Sequence, residues 1–560
     1  MKLPDVKWSN PQLMQTVFGG YDQREKAAAG TFCEMTNMSS EHVPCLSPRA
    51  PRAVIANQNN IRALCMPEYS EEEWKGFTGV AGNTFYFRGK AVNNRTLSSD
   101  FPKSIVDFNG NICIFPDKLY YCYLKDAESG TVKHELQSME KTLTLSHVRL
   151  YSQYDDLTGE YSAYLEKSGA GFDSVFRSGD SIVMSGCSSY PQNNTVVLEE
   201  KDSFAEPTKI VSVVVDSVTS DRLAVRLYSR SNRLLTFTGS GKTEAAMTLR
   251  RAIPDFSHVC VHNNRLWGAA KNGGFIYASA VGDCFNFHTF QGLESDSWYS
   301  EIGTGGKFTG IASYRTAVVA FKQEYIHHIY GETPSNFSIP KQLQGGCADG
   351  ASIVELDGML YYLGSRGFYS YGGGQPQKIS DSVVTEYVSA QAGTDGVKYY
   401  ACAKRADGTT DLLVFDPRYH IWHREDSTPF VAFARRGRVL YAATAAQVMR
   451  FSDGEEIVEW SATTTPITQD SFSHLGIHTA FLRLKMAKDS EAAIYVSEDG
   501  NPFRLCAIVR GDGFFVRRVP VRFQGGDSYQ VRVSGKGNVL LYGLETHLHC
   551  GGRTMRNRKE

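Results

Sequence analysis

The 560-residue sequence predicts an all-β protein: a β-propeller of six or seven blades, an inserted small β-barrel and a C-terminal β-sandwich-like domain. Three observations predict it. First, a strand phrase returns about every 40 residues: Arg265-Leu-Trp-Gly268, Thr316 to Phe321, Met359 to Leu363, Val397 to Ala401 and Arg438 to Ala442. Each is followed by a second apolar strand: Gly274 to Ala278, Tyr325 to Tyr330, Gly367 to Tyr371, Leu412 to Phe415 and Gln447 to Phe451. Strand pairs repeating at about 40–50 residues are the signature of propeller blades. Second, aromatics make up 12% and there are 51 glycines, which favours short strands joined by tight turns. Third, the period breaks once, between about 140 and 250, where strands of a different spacing intervene.

Taken in order, residues 1–58 are irregular and polar, with Phe18-Gly-Gly-Tyr21 and the Pro-rich run Ser47 to Arg52, and read as an extended arm. Residues 59–139 carry the first propeller strands, Asn83 to Phe87, Asn111 to Phe115 and Tyr120 to Tyr123. Residues 140–250 form the inserted barrel or sandwich, with strands at Phe176 to Ser185, Asn194 to Leu198, Thr208 to Val215 and Arg222 to Leu227. Glu244 to Arg251 is the best helical candidate. Residues 251–458 are the main blades. Residues 459–550 alternate as a two-sheet β domain, with strands at Phe481 to Met486, Ala493 to Val496, Phe514 to Pro520, Tyr529 to Val533 and Val539 to Tyr542. Residues 551–560 read as a basic, solvated tail.

Charge is balanced, 59 basic against 60 acidic residues, which points away from wholesale nucleic-acid binding. Residues Met1 to Trp8 lack an apolar core of signal-peptide length, and no window approaches 18 apolar residues. Folding in a cytosol without membrane insertion is expected. The 12 cysteines are scattered singly and without Cys-x-x-Cys, as reduced, mostly buried thiols would be.

Motifs that promise chemistry weaken on inspection. Thr238-Gly-Ser-Gly-Lys-Thr243 has the Gly-Lys-Thr of a phosphate-cradling loop, but Thr236 stands where the first glycine is required. No strand–helix alternation follows it, so a turn is expected. His547-Leu-His-Cys550 lacks a matching ligand pair nearby in sequence, and His327 and His328 fall on opposite faces of their strand. Ser497-Glu-Asp-Gly-Asn-Pro-Phe503 resembles the aspartate box of sialidase-type propellers, without the usual spacer, and reads as a hairpin turn. Asp255, Asp283, Asp296, Asp357, Asp407 and Asp416 mostly sit beside Gly, Pro or Ser, as turn residues do. No catalytic, cofactor-binding or metal-ligating residue is proposed from the sequence, and no cofactor.

The stretch His258-Val-Cys-Val-His-Asn-Asn-Arg-Leu-Trp-Gly268, then Ile276-Tyr-Ala-Ser279 and Gly282-Asp-Cys-Phe-Asn-Phe287, resembles tail proteins of tailed bacteriophages, the propeller-bearing nozzle, hub or stabilisation proteins. Cys284 replaces the usual proline of that pattern. The resemblance continues through Phe308 to Gly310, Ile326 to Gly331, Leu412 to Asp416 and Trp422 to Asp426. The arm (Phe18 to Tyr21, Asn37, Pro48-Arg49) and the closing stretch Asp527 to Val539 are also similar.

The resemblance implies a non-enzymatic virion structural protein, assembled in the bacterial host cytoplasm. Its partners would be copies of itself in a ring of six, other tail or head–tail connector proteins, tail fibres, and the genomic DNA passing through the lumen. The arm would be an assembly device ordered against neighbouring subunits. A rival reading is a tail protein that binds a host glycan or receptor. A third is a propeller glycosidase or lyase, which would need two or more converging carboxylates.

Overall fold

The computed structural model describes residues 12–67, 76–124, 130–155, 157, 160–186, 197–198, 208–229, 234–235, 241, 243–468, 474–521 and 526–551. The chain is all-β and of the β-propeller class. Among the described residues, helix is limited to two short 3-10 turns, Phe172–Ser174 and Gly350–Ser352. No helix there is long and apolar enough to cross a membrane.

Seven four-stranded antiparallel blades occur among the described residues. Blade I comprises Ile61–Leu64, Gly79–Ala81, Thr84–Phe87 and Lys90–Val92. Blade II comprises Ser104–Phe108, Asn111–Phe115, Leu119–Cys122 and Gln137–Ser138. Blade III comprises Phe256–His262, Arg265–Ala270, Phe275–Ala278 and Trp298–Glu301. Blade IV comprises Phe308–Tyr314, Ala317–Lys322, Tyr325–Tyr330 and Ser338–Gln344. Blade V comprises Val354–Leu356, Met359–Gly364, Gly367–Tyr371 and Gln377–Lys378. Blade VI comprises Ser389–Thr394, Tyr399–Lys404, Thr410–Asp416 and Ile421–Arg424. Blade VII comprises Ala432–Arg436, Val439–Ala443 and Gln447–Asp453, and takes its fourth strand, Arg52–Asn57, from the N-terminal segment.

The repeating sequence phrase is the second strand of each of blades III to VII. It starts directly after a two-residue turn in blades III and V, and the second strand of blade II starts the same way. Asn109-Gly110, Asn263-Asn264 and Asp357-Gly358 all have positive φ at both positions. That is the geometry of a type I′ turn, whose twist matches the flanking strands.

The chain divides into two compact units. One holds blades V, VI, VII and I with the C-terminal domain. Within it the first strands of successive blades lie against one another, 354–356 on 389–394, 389–394 on 432–436 and 432–436 on 61–64. The other holds blades II, III and IV with the insertion, and its first strands pack in the same succession.

The insertion is a closed six-stranded barrel. Its pairing order runs Lys141–Asp155, Glu160–Glu166, Arg222–Ser229, Thr208–Val218, Ser181–Ser185, Thr243–Arg251 and back to Lys141–Asp155. Val148, Leu150, Leu165, Phe172, Leu223 and Leu249 fill it. Closure leaves these six strands no free edge. The helix expected at 244–251 is instead the barrel strand Thr243–Arg251. Its Ala, Met and Leu favour helix locally, but pairing on both sides overrides that propensity.

The C-terminal domain is two packed sheets. One contains Gln12–Gln15, Val539–Gly551, His474–Met486 and Gly513–Pro520. The other contains Phe32–Thr36, Glu459–Thr464, Ser528–Lys536, Glu491–Glu498 and Arg504–Arg510, with Ile467–Thr468 beside it. Leu482, Leu484, Ile494, Val496, Val531 and Leu541 meet in the shared core.

The segment expected to be an arm ordered against neighbouring subunits packs into its own chain. It gives one strand to each sheet of the sandwich and one to blade VII. Phe18, Tyr21, Phe32, Met35, Met38 and Leu46 are buried in the sandwich core. At Gly20 a side chain would meet the Trp422 carbonyl oxygen at 2.5 Å. The Phe-Gly-Gly-Tyr run is therefore a close-approach joint, and the Tyr21 N–H donates to that same carbonyl at 2.6 Å. Arg49 and Arg52 then pair with Glu425, Asp426 and Glu456. The Arg52 guanidinium lies over the Phe451 ring at 4.5 Å. Burial alone would raise the Asp426 carboxyl, but Arg52 and Arg49 hold it below its ordinary range.

Candidate functional site

The stretch 258–287 folds as one structural unit. His262 Nδ1 hydrogen-bonds Ser313 Oγ at 2.8 Å. Arg265 is 1% exposed, and a buried guanidinium must have its donors satisfied. It donates to the carbonyls of Ser279 (2.7 Å), Glu294 (2.6 Å) and Asp296. Burial lowers its pKa, and Asp296 acts against that shift. Trp267 packs against Trp298 and Phe337. At Gly268 a side chain would meet the Phe256 ring at 2.4 Å, so the missing Cβ makes room for that ring. Phe256 in turn contacts Phe115, Tyr277 and Phe287. Ser279 Oγ accepts from the Leu266 N–H, and Asp283 Oδ1 from the Phe285 N–H.

These contacts fix the long loop between the third and fourth strands of blade III. Asp296 Oδ2 accepts the N–H groups of Gln291 and Leu293, pinning its tip. The loop's other end meets the barrel. Arg251 donates to Phe285 O at 3.3 Å and pairs with Asp180 at 3.5 Å. His288, buried beside Arg251, is pushed down to about 3 by burial and then by that positive charge.

The pinned loop presents an aromatic surface. Phe290 is 42% exposed and Tyr299 51%, with ring centroids 5.5 Å apart in edge-to-face geometry. Tyr299 stacks on Tyr277 at 5.7 Å. Phe290, Leu293, Trp298, Tyr299, Pro334 and Ser335 line a cavity of about 280 Å3.

A second surface lies on the sandwich. Arg504–Arg510 and Gly513–Pro520 are each the edge strand of their sheet, and consecutive in the chain. Phe514 is 57% and Val516 60% exposed, with Leu505 and Ile508 also exposed. Exposed apolar side chains on free sheet edges suit an interaction surface.

The motifs weighed in the sequence lie elsewhere. Of Thr238 to Thr243, residues 238–240 and Lys242 fall outside the described residues; Gly241 is in a turn and Thr243 opens a strand. His547 Nε2 contacts Glu545 Oε1 at 2.8 Å, while the side chains of His549 and Cys550 lie outside the described part. His327 hydrogen-bonds Thr304 Oγ1 at 2.9 Å, and burial, then Lys322, pushes it down to about 4; His328 stacks on Tyr330. Among the described residues no group of three or more His, Cys, Asp or Glu could hold a metal. Asp499-Gly500 of the box-like run has positive φ at both positions, a type I′ hairpin turn. Asp283, Asp296, Asp357 and Asp407 serve turns or loops. Asp255 pairs with Lys118 at 2.6 Å. Asp416 does more, accepting from Ser40 Oγ at 2.6 Å and pairing with Arg418.

Neither surface was anticipated. For the loop the available signal was only that Phe290, Leu293 and Tyr299 stand among Gly, Ser and Asp. For the edge strands it was the apolar run Phe514 to Val516 directly before Arg517 and Arg518.

No protein-family model matches the chain, and no curated protein is significantly similar to it in sequence. Among solved structures, it is similar to an exo-β-1,3-galactanase of Phanerochaete chrysosporium, at 10% identity. That match covers 51% of this chain and 95% of that one, with a TM-score of 0.22. Hsv2 of Kluyveromyces lactis matches at 9% identity over 66% and 98% of the two chains, with a TM-score of 0.26. PorZ, a surface component of the type-IX secretion system of Porphyromonas gingivalis, matches at 9% identity over 68% and 46%, with a TM-score of 0.24.

Proposed function

We propose that the chain is a non-enzymatic structural subunit of a bacteriophage tail, a nozzle or hub protein assembling as a ring that extends the DNA channel and joins tail components. The resemblance of residues 258–287 to such proteins motivates the reading. The observation that carries it is the pair of edge strands 504–510 and 513–520 with exposed apolar side chains, which suits a lateral joint to a second subunit. The motif residues support it too. His262, Arg265, Trp267, Asp283 and Phe287 are committed to packing and loop anchoring, as a scaffold requires. A net charge of −1 suits a lumen through which DNA passes without sticking.

Mass photometry of the purified protein tests the reading. A ring is expected, or a species that forms one only with a tail partner, and Phe514→Asp with Val516→Asp should shift it to monomer. A persistent monomer with saturable glycan binding would overturn it.

The aromatic cavity favours a second reading, a tail protein that holds a host-surface glycan or receptor. There, Tyr299→Ala should abolish binding to host cells while leaving the oligomer intact.

A further inference from the structure

We propose that Cys113 and Cys284 are an oxidisable dithiol that closes to a disulfide, stapling the blade III loop to blade II. Their sulfurs lie 3.8 Å apart, 171 residues apart in sequence, and both residues are buried. Cys113 is at the middle of the strand Asn111–Phe115. Cys284 is in the loop anchored by Arg265. Cys113 Sγ also lies 3.7 Å from the Asn111 carbonyl oxygen, while Cys33, Cys347 and Cys402 face carbonyl oxygens at 3.3, 3.1 and 3.5 Å. Reaching the disulfide separation of about 2 Å needs a movement of roughly 1.8 Å, within reach of side-chain rotation and a small loop shift.

The step requires a two-electron oxidant, for which hydrogen peroxide suffices. One thiolate attacks a peroxide oxygen, the O–O bond breaks, and the product is a sulfenic acid with one water released. The second sulfur then attacks the sulfenic sulfur, an S–S bond forms, and a second water leaves. Two thiols lose two hydrogens in all, and one peroxide becomes two waters. The Cys284 sulfur contact and burial push the Cys113 thiol well above its ordinary value, so closure is slow at neutral pH. A chain that folds with thiols in a reducing cytosol would therefore crosslink later, in oxidising surroundings. The inference stands on these two residues and is independent of the tail reading.

The full-length protein is treated with hydrogen peroxide at pH 8, denatured with an alkylating agent and digested without reduction. A crosslinked peptide containing Cys113 and Cys284, two hydrogens lighter than the free pair, is expected. The thermal midpoint should rise by roughly 5 °C over the reduced protein. Cys284→Ala should lose both the peptide and the shift. Recovery of both cysteines fully alkylated, under conditions that oxidise the more exposed Cys45 and Cys506, would overturn the proposal. Peptide mapping of the unmutated chain decides the matter even if the variant does not fold.

Discussion

Arg265 shows how one buried cation can organise a surface. Its guanidinium reaches three backbone carbonyls on two stretches of one loop. Lysine keeps the charge but not the planar fork. Arg265→Lys should therefore cost about 3 kcal/mol, read as a lower denaturation midpoint in urea. The buried histidines make a second residue-scale prediction. His288 and His423 are held at about 3 and His327 at about 4, chiefly by burial. Their folded values lie below the ordinary 6.5, so the unfolded chain takes up protons first as pH falls. Stability is full above about pH 6.5 and is lost below it, by about 1.4 kcal/mol per unit per histidine, until the folded values are reached. Both ring nitrogens of His423 are buried without a hydrogen-bond partner. His423→Leu should make the thermal midpoint fall less steeply between pH 6.5 and 4.5.

At the level of elements, the N-terminal strands decide the edges of the sandwich. Gln12–Gln15 covers the strand Val539–Gly551, and Phe32–Thr36 covers Glu459–Thr464. Deleting residues 1–36 should bare both edges and remove Phe18 and Phe32 from the core. Light scattering should show aggregation, and limited proteolysis should cut within 459–551. The same strands show where sequence reading stops. The blades were legible because their hairpins are local, with tight turns joining short apolar strands. The N-terminal segment was not, because Phe18, Tyr21, Phe32 and Met35 follow no period and their partners are distant. Gln23 bonds Thr385, 362 residues away. The aromatic loop was hidden for a related reason. Nothing local marks Phe290 as exposed and Trp298 as half-buried against Phe337, since Arg265, from outside the loop, anchors the backbone that sets that orientation.

For the whole molecule, the barrel is an appendage whose two ends meet. Lys141 pairs directly with Arg251. Replacing residues 142–250 by a short Gly-Ser turn should leave the remaining chain folded. The cost should be modest, from the lost Asp180 partner of Arg251, and circular dichroism with a thermal scan would show it as a drop of a few degrees. Barrel-specific function would vanish while any ring persisted. That outcome would assign assembly to the blades and sandwich.

The weaving of early strands into late sheets also has a consequence for biosynthesis. Cys33 sits against Thr463, 430 residues downstream. At roughly 5–20 residues per second, the ribosome needs on the order of a minute to deliver that neighbour. Throughout that time Phe18, Phe32 and Met35 lack the late-chain partners that bury them in the finished fold. A nascent chain that stops short of residue 459 lacks the strands that close its sandwich, so the domain folds only once its late strands have been made.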